Sequence, residues 1–189
     1  MKKIFRYLTF CTALAWLNAC NTLDVEPTNA VDTETAITDS ISLARAVVGI
    51  YDGLQSGNYY GLRFLLYQDV YADNLVHSGT FTTDQEVSSR QIQASNLQIA
   101  NTWASIYTVI NRANTVIEFS ENVPLAATTR NHYIAEARFV RALCYFDLVK
   151  LFGPVPIQPR ATNAVDEISN VARSPENDVY NYLIEDLIF

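Results

Sequence analysis

Apolar residues recur at three- and four-residue spacing along most of the chain, and runs with strand-like alternation are sparse. Over residues 39–55, Leu43, Val47, Ile50 and Leu54 form one stripe, and Ile41, Ala44, Val48 and Tyr51 form a second. Positions three or four apart share a helix face, so this stretch predicts a helix apolar on two sides and packed between neighbours. The turn SGNYYG follows, its glycines expected to relieve the φ restriction, and then a second helix over residues 62–75, LRFLLYQDVYADNL. The polar stretch HSGTFTTDQEVSSRQ has no helical period and predicts a surface loop.

A third helix over residues 96–120 carries Trp103, Ile106, Tyr107, Ile110, Ala113 and Ile117 on its apolar side, which places Trp103 in the core. The fourth, over residues 129–152, stops at Gly153 with Pro154 and Pro156 behind it; glycine suits a left-handed cap and proline cannot continue a helix. PVPIQPRATNAVDEISNVA then reads as an extended return, and Ser174-Pro175-Glu176 as the cap and first turn of a fifth helix. Ala135, Ala137 and Ala142 are small residues where a partner helix could cross. The pattern predicts an all-α fold, a helical scaffold of tetratricopeptide-like antiparallel pairs.

The N-terminus follows a different rule. Lys2, Lys3 and Arg6 precede thirteen largely apolar residues, 7–19. That run is too short for a spanning helix, which needs about 20 apolar residues, and its order is that of a secretory signal peptide. Leu17-Asn18-Ala19-Cys20 also resembles a bacterial lipobox, so residues 1–19 are expected to be cleaved and Cys20 acylated, palmitate being one such acyl chain. Two or three chains anchor stably in a bilayer where one does not. Residues 20–38 would be the tether and 39–189 the helical domain.

Charge then narrows the partners. The chain has 13 basic and 20 acidic residues, and cleavage removes three of the basic ones, leaving a net charge of about −10. Nucleic acid is excluded as a partner, because phosphate contacts need a basic patch. Beyond Cys20 only Cys144 remains, inside an apolar helix, so it reads as a small buried hydrophobe. Glu136, Arg138, Arg141 and Asp147 interrupt the fourth helix at spacings that favour ion pairs across helices over pairs along it.

CNTLDVEP after the lipobox, AVVGIYDGL, WASIYTVINRANTVIE, EARFVRALCYFDLVKLFGPVPI and SPENDVYNYLIEDL, in that order, closely resemble the SusD/RagB family of outer-membrane lipoproteins. The resemblance implies a surface-exposed, lipid-anchored protein of the outer membrane. Such a protein binds glycan, or in some members peptide, and caps a SusC-type TonB-dependent transporter. It also implies a helical scaffold with loops as the ligand platform and no cofactor. Asp24 and Glu26, soon after Cys20, resemble the family's surface-export signal. Family members are typically much longer, and EDLIF ends inside an amphipathic helix, so the expectation is an N-terminal portion with much of the ligand platform lying beyond it.

Sugar recognition uses flat aromatic faces with amides and carboxylates around them. Around the segment after the second helix, the residue types that fit are Tyr59, Tyr60, Asp73, Asn74, His77 and Phe81. Their structural roles would be to end that helix and cover its end. Asp69 and Asp73, four apart, have the residue types of a glycosidase pair, but no further catalytic element accompanies them. His77 and His132 are the only histidines, with no HExxH or CxxC spacing, so neither enzyme nor metal site is expected. The alternative to nutrient capture is a helical surface scaffold or adhesion module that binds protein, or a truncated relative without function.

Overall fold

The structure is a computed structural model, and it describes residues 36–162 and 171–189. Among these residues there are six α-helices and no strand: α1 Ser40–Leu54, α2 Arg63–Tyr71, α3 Thr82–Ser88, α4 Leu97–Phe119, α5 Ala127–Phe152 and α6 Glu176–Leu187. A 3-10 turn, Ser120–Asn122, joins α4 to α5. The all-α architecture is as the periodicity predicts. The expected signal peptide, residues 1–19, and Cys20, Asp24 and Glu26 lie outside the described residues.

The long pair α4 and α5 forms the spine. Trp103 packs on Phe152 at one end, and Asn114 meets Arg141 nearer the other, so the helices run antiparallel. At 23 and 26 residues they extend roughly 35 and 39 Å. Between them Ile106, Val109, Ile110 and Ala113 of α4 and Ala137, Val140, Cys144, Tyr145 and Leu148 of α5 are buried in one apolar cluster. Asn96 caps α4, its Oδ1 accepting from the amides of Gln98 and Ile99 at 3.1 and 3.2 Å. Trp103 itself is half-buried and covers the edge of this core.

Helix α1 packs on the spine with its first stripe. Asp39 and Ser42 form a reciprocal capping box at its start, Ser42 N donating to Asp39 Oδ1 at 2.7 Å and Asp39 N to Ser42 Oγ at 3.1 Å. Leu43, Val47 and Ile50 are buried, and Gly53 lies so close to α4 that a Cβ would stand 2.8 Å from Val109 Cγ2. The second stripe departs from expectation. Ile41, Val48 and Tyr51 face outward, so among the described residues α1 is covered on one side only. The turn glycines also act differently from the prediction, because neither Gly57 nor Gly61 has a positive φ. Gly61 is required sterically, since a Cβ would collide with the carbonyl oxygens of Gln55 and Ser56.

Helix α6 runs antiparallel to α5, with Tyr145 edge-on to Tyr182 and Arg141 paired to Asp186. That pair fulfils the expectation of cross-helix ion pairing, and Glu136 and Asp147 correct it. Glu136 pairs with His132 one turn away on its own helix at 2.9 Å and accepts from Tyr51 of α1. Among the described residues no cation pairs with Asp147; it accepts from two phenols. Ala137 and Ala142 are buried, whereas Ala135 is exposed and marks no crossing.

Gly153 ends α5 at φ 67°, as its position after the helix predicts. The segment behind it lies along the spine, held by Tyr107 donating to Pro156 O at 2.7 Å and Asn114 donating to Gln158 O and Arg160 O. Ser174 does not cap α6 with its side chain. Its backbone forms an isolated antiparallel bridge with Val155, and the helix starts at Glu176 behind Pro175.

Candidate functional site

The region after the second helix is where the sequence points, and its order comes from two helix ends. Helix α2 stops at Tyr71, short of the predicted Leu75. Ala72 follows, and Asp73 turns left-handed at φ 65°, while the amides of Asn74 and Leu75 both donate to Asp69 O at 2.9 and 3.2 Å. Asp69 and Asp73 therefore do not share a helix face.

The stretch predicted as a loop contains the two-turn helix α3. A single buried residue, Val87, packs against Tyr67 and Val70 of α2, so there is too little apolar patterning for a period to show. Ser89 caps α3, and Arg90 behind it is left-handed at φ 57°. Among the described residues Asp73 and Arg90 are the two non-glycine positions with positive φ, and an ion pair joins them. Such conformations persist only where their surroundings hold them. Arg90 is further fixed by donating from Nε to Tyr71 O at 3.2 Å and lies 5.8 Å from the centre of the Tyr71 ring.

A second clamp joins the helix bodies. Tyr67 donates to Asp84 Oδ1 at 2.6 Å, and Arg63 Nη1 reaches Tyr67 Oη at 2.9 Å and Asp84 at 3.3 Å. Burial first, and then the bond to Asp84, push the Tyr67 phenol up to about 12.

Two hollows flank this platform. The smaller, about 250 Å³, is lined by Tyr67, Val70, Leu75, His77 and Asp84. His77 Nε2 is buried without a partner, and the ring packs so tightly over Gly79 that a Cβ there would come within 2.8 Å of Cε1. The larger is an open cleft of about 770 Å³ between α2, the start of α4 and the end of α5. Phe64, Tyr67, Tyr71, Ile99 and Phe152 supply its apolar walls, and Gln68, Asp69, Asn74 and Lys150 its polar groups.

The candidate residues divide between these surroundings. Asn74 lines the cleft, His77 the small pocket, and Asp73 is held by Arg90 at the surface. Phe81, at the start of α3, is 71% exposed. Tyr59 is 0% exposed and has no face for a ligand. Its hydroxyl and that of half-buried Tyr60 both donate to Asp147 Oδ2 at 2.7 Å. Burial raises the Asp147 pKa, and the two phenol bonds partly offset that rise. Tyr71, Gln68, Lys150 and Arg90 escaped the sequence reading. The alternation of buried Phe64, Tyr67 and Val70 with exposed Gln68 and Tyr71 was the available signal for the first two.

The described residues thus form an all-helical scaffold with an aromatic-walled cleft beside a doubly clamped platform. The model for SusD-like proteins, described as starch-binding associating with outer membrane, matches residues 21–188, and the chain belongs to this family. SusD-like protein P2 of Formosa agariphila is 28% identical over 95% of the chain, which covers 36% of that relative. A laminarin-binding SusD-like protein superposes with a TM-score of 0.71 at 22% identity, over 80% of this chain and 33% of its own. A structure with xylogluco-oligosaccharide gives 0.60 at 22% identity, over 78% of this chain and 28% of its own. The chain thus spans about a third of the length of the relatives it matches.

Proposed function

We propose that the chain is part of an outer-membrane lipoprotein that captures oligosaccharide and hands it to a SusC-type TonB-dependent transporter without breaking a bond. The observation that carries this reading is membership of a family described as starch-binding and outer-membrane-associated, matched over residues 21–188. The ligands of the laminarin-binding and xylogluco-oligosaccharide structures point to glycan over peptide. Residues 1–19 act as the signal, Cys20 is the acylated anchor in the bilayer, and Asp24 and Glu26 direct export to the outer face. Asp73, Asn74, His77, Phe81 and Tyr60 are the side chains assigned to the ligand platform.

The test is calorimetric titration of the full-length protein with a laminarin oligosaccharide and a xyloglucan oligosaccharide, alongside co-purification from its own cells. Saturable heat with either sugar and recovery of a TonB-dependent transporter support the reading. No heat with either, and no transporter, would remove it. For the anchor, Cys20→Ala should move the protein from the detergent to the aqueous phase on partition.

A helical scaffold that binds protein is the second reading, favoured by the outward stripe of Ile41, Val48 and Tyr51 on α1. It predicts recovery of a protein partner with no sugar binding.

A further inference from the structure

The larger cleft carries an inference that rests on the glycan-binding reading and refines it. At about 770 Å³ it has the size of a small-ligand site, commonly roughly 300–1,000 Å³. The residue at its rim with the properties of a sugar platform is Tyr71, which the sequence did not single out. A pyranose ring presents C–H groups on its faces and hydroxyls at its edge, so it needs a flat aromatic surface that is open, fixed and bordered by donors and acceptors.

Tyr71 is 51% exposed although it lines the cleft. The Arg90 guanidinium lies over the Tyr71 ring, 5.8 Å from its centre and within the range of a cation–π contact, and Arg90 Nε donates to Tyr71 O. Asp73 anchors Arg90 in turn. A ring held this way loses little freedom when a ligand stacks on it.

The polar groups nearby have unused capacity of the right kind. Gln68 spends its amide nitrogen on Phe64 O at 3.2 Å, and Asn74 spends its own on Asp69 Oδ1 at 3.2 Å. Each keeps a carbonyl oxygen that can accept from a hydroxyl. Lys150 lines the α5 side of the cleft, with its ammonium 4.8 Å from the Phe146 ring centre. Asp69 balances its charge in the lining, and the chain is net negative, so an uncharged sugar fits where an anionic one does not.

We propose that Tyr71, backed by Arg90, is the stacking platform of a subsite for one neutral pyranose ring, with Gln68, Asn74 and Lys150 reading its hydroxyls. Arg90 is a positioning residue and does not touch the sugar.

The test titrates the full 189-residue chain and its variants with the same laminarin and xyloglucan oligosaccharides, with a thermal melt of each variant as the folding control. Tyr71→Ala should weaken binding by about tenfold, the scale of an aromatic stacking contact. Tyr71→Phe should stay within about twofold because the flat face remains. Gln68→Leu, at an exposed helix position, should weaken binding by roughly three- to tenfold through loss of one acceptor. Arg90→Met should weaken binding and reduce the tyrosine difference spectrum that appears on adding sugar. Phe139→Ala, an exposed aromatic outside the lining, should change nothing. If the wild type binds and Tyr71→Ala and Gln68→Leu bind equally well, the subsite is wrong and the glycan reading stands. If the wild type binds neither sugar, the subsite falls, and the glycan reading is decided by the same titration on the full-length protein.

Discussion

Arg141 of α5 and Asp186 of α6 form a bidentate pair, Nε to Oδ2 and Nη2 to Oδ1 each at 2.7 Å, with both residues 5% exposed. Arg141 Nη1 also donates to Asn114 Oδ1 of α4 at 2.6 Å, so one guanidinium ties three helices together. Removing one partner leaves the other charge buried and unpaired, at a cost of about 3–5 kcal/mol. Asp186→Leu is therefore expected to lower the urea midpoint sharply. Arg141→Met together with Asp186→Leu should recover most of the loss, because two apolar side chains leave no orphaned charge. A double variant as unstable as the single would show that the pair contributes more than it costs to desolvate.

Asp147 makes stability depend on pH. Burial raises its pKa above the ordinary 3.8, against the opposing bonds from Tyr60 and Tyr59. A carboxyl whose folded pKa lies above its unfolded one stabilises fully below the unfolded value and loses that contribution as pH rises through the folded pKa. From pH 4 upward the wild type should therefore lose stability relative to Asp147→Asn, whose amide oxygen can still accept from the phenols. Urea midpoints measured from pH 3.5 to 7 check this; a wild type that gains on the variant as pH rises would reverse the sign.

The thiol of Cys144 should be inert in the folded protein. Burial pushes it up to about 12, and it lies against Tyr59 in the core. The thiolate is the reactive form, so alkylation at pH 8, mapped to this residue by peptide mass, is expected only once urea unfolds the chain. Rapid labelling of the native protein would mean that α5 opens locally.

What could be read in the sequence followed from how many buried residues each element contributes. Helices α1, α4, α5 and α6 bury enough side chains for the helical period to emerge from single residues. Helix α3 buries Val87 alone, and its apparent disorder of pattern was simply too few data points. The site was less legible because its geometry is made by pairs distant in sequence. Tyr59 and Tyr60 look alike as neighbours in a turn, yet Asp147, nearly ninety residues on, draws one fully into the core and leaves the other at its edge. The Asp73–Arg90 clamp and the Tyr71–Lys150 cleft likewise need the fold before they exist. Residue type offered sugar-binding chemistry, and tertiary packing decided which of those groups still had a free face.

Two glycines on α1 give a prediction in which the same substitution has opposite signs. Replacing a mid-helix glycine with alanine stabilises by roughly 0.5–1 kcal/mol when the backbone is ordinary and space is free. Gly49 meets both conditions, with nothing within 4 Å of an added Cβ, so Gly49→Ala should raise the melting temperature. Gly53, one turn later, faces α4, where the Cβ would stand 2.8 Å from Val109 Cγ2 and 3.2 Å from Arg112 Nη1. Arg112 can swing toward solvent; Val109 is fully buried and cannot. Overpacking of this kind costs about 1–3 kcal/mol, more than the helix gains, so Gly53→Ala should melt lower than wild type. Thermal melts of the two variants side by side decide it, and a Gly53→Ala protein as stable as Gly49→Ala would mean that α1 can shift away from α4 without loss.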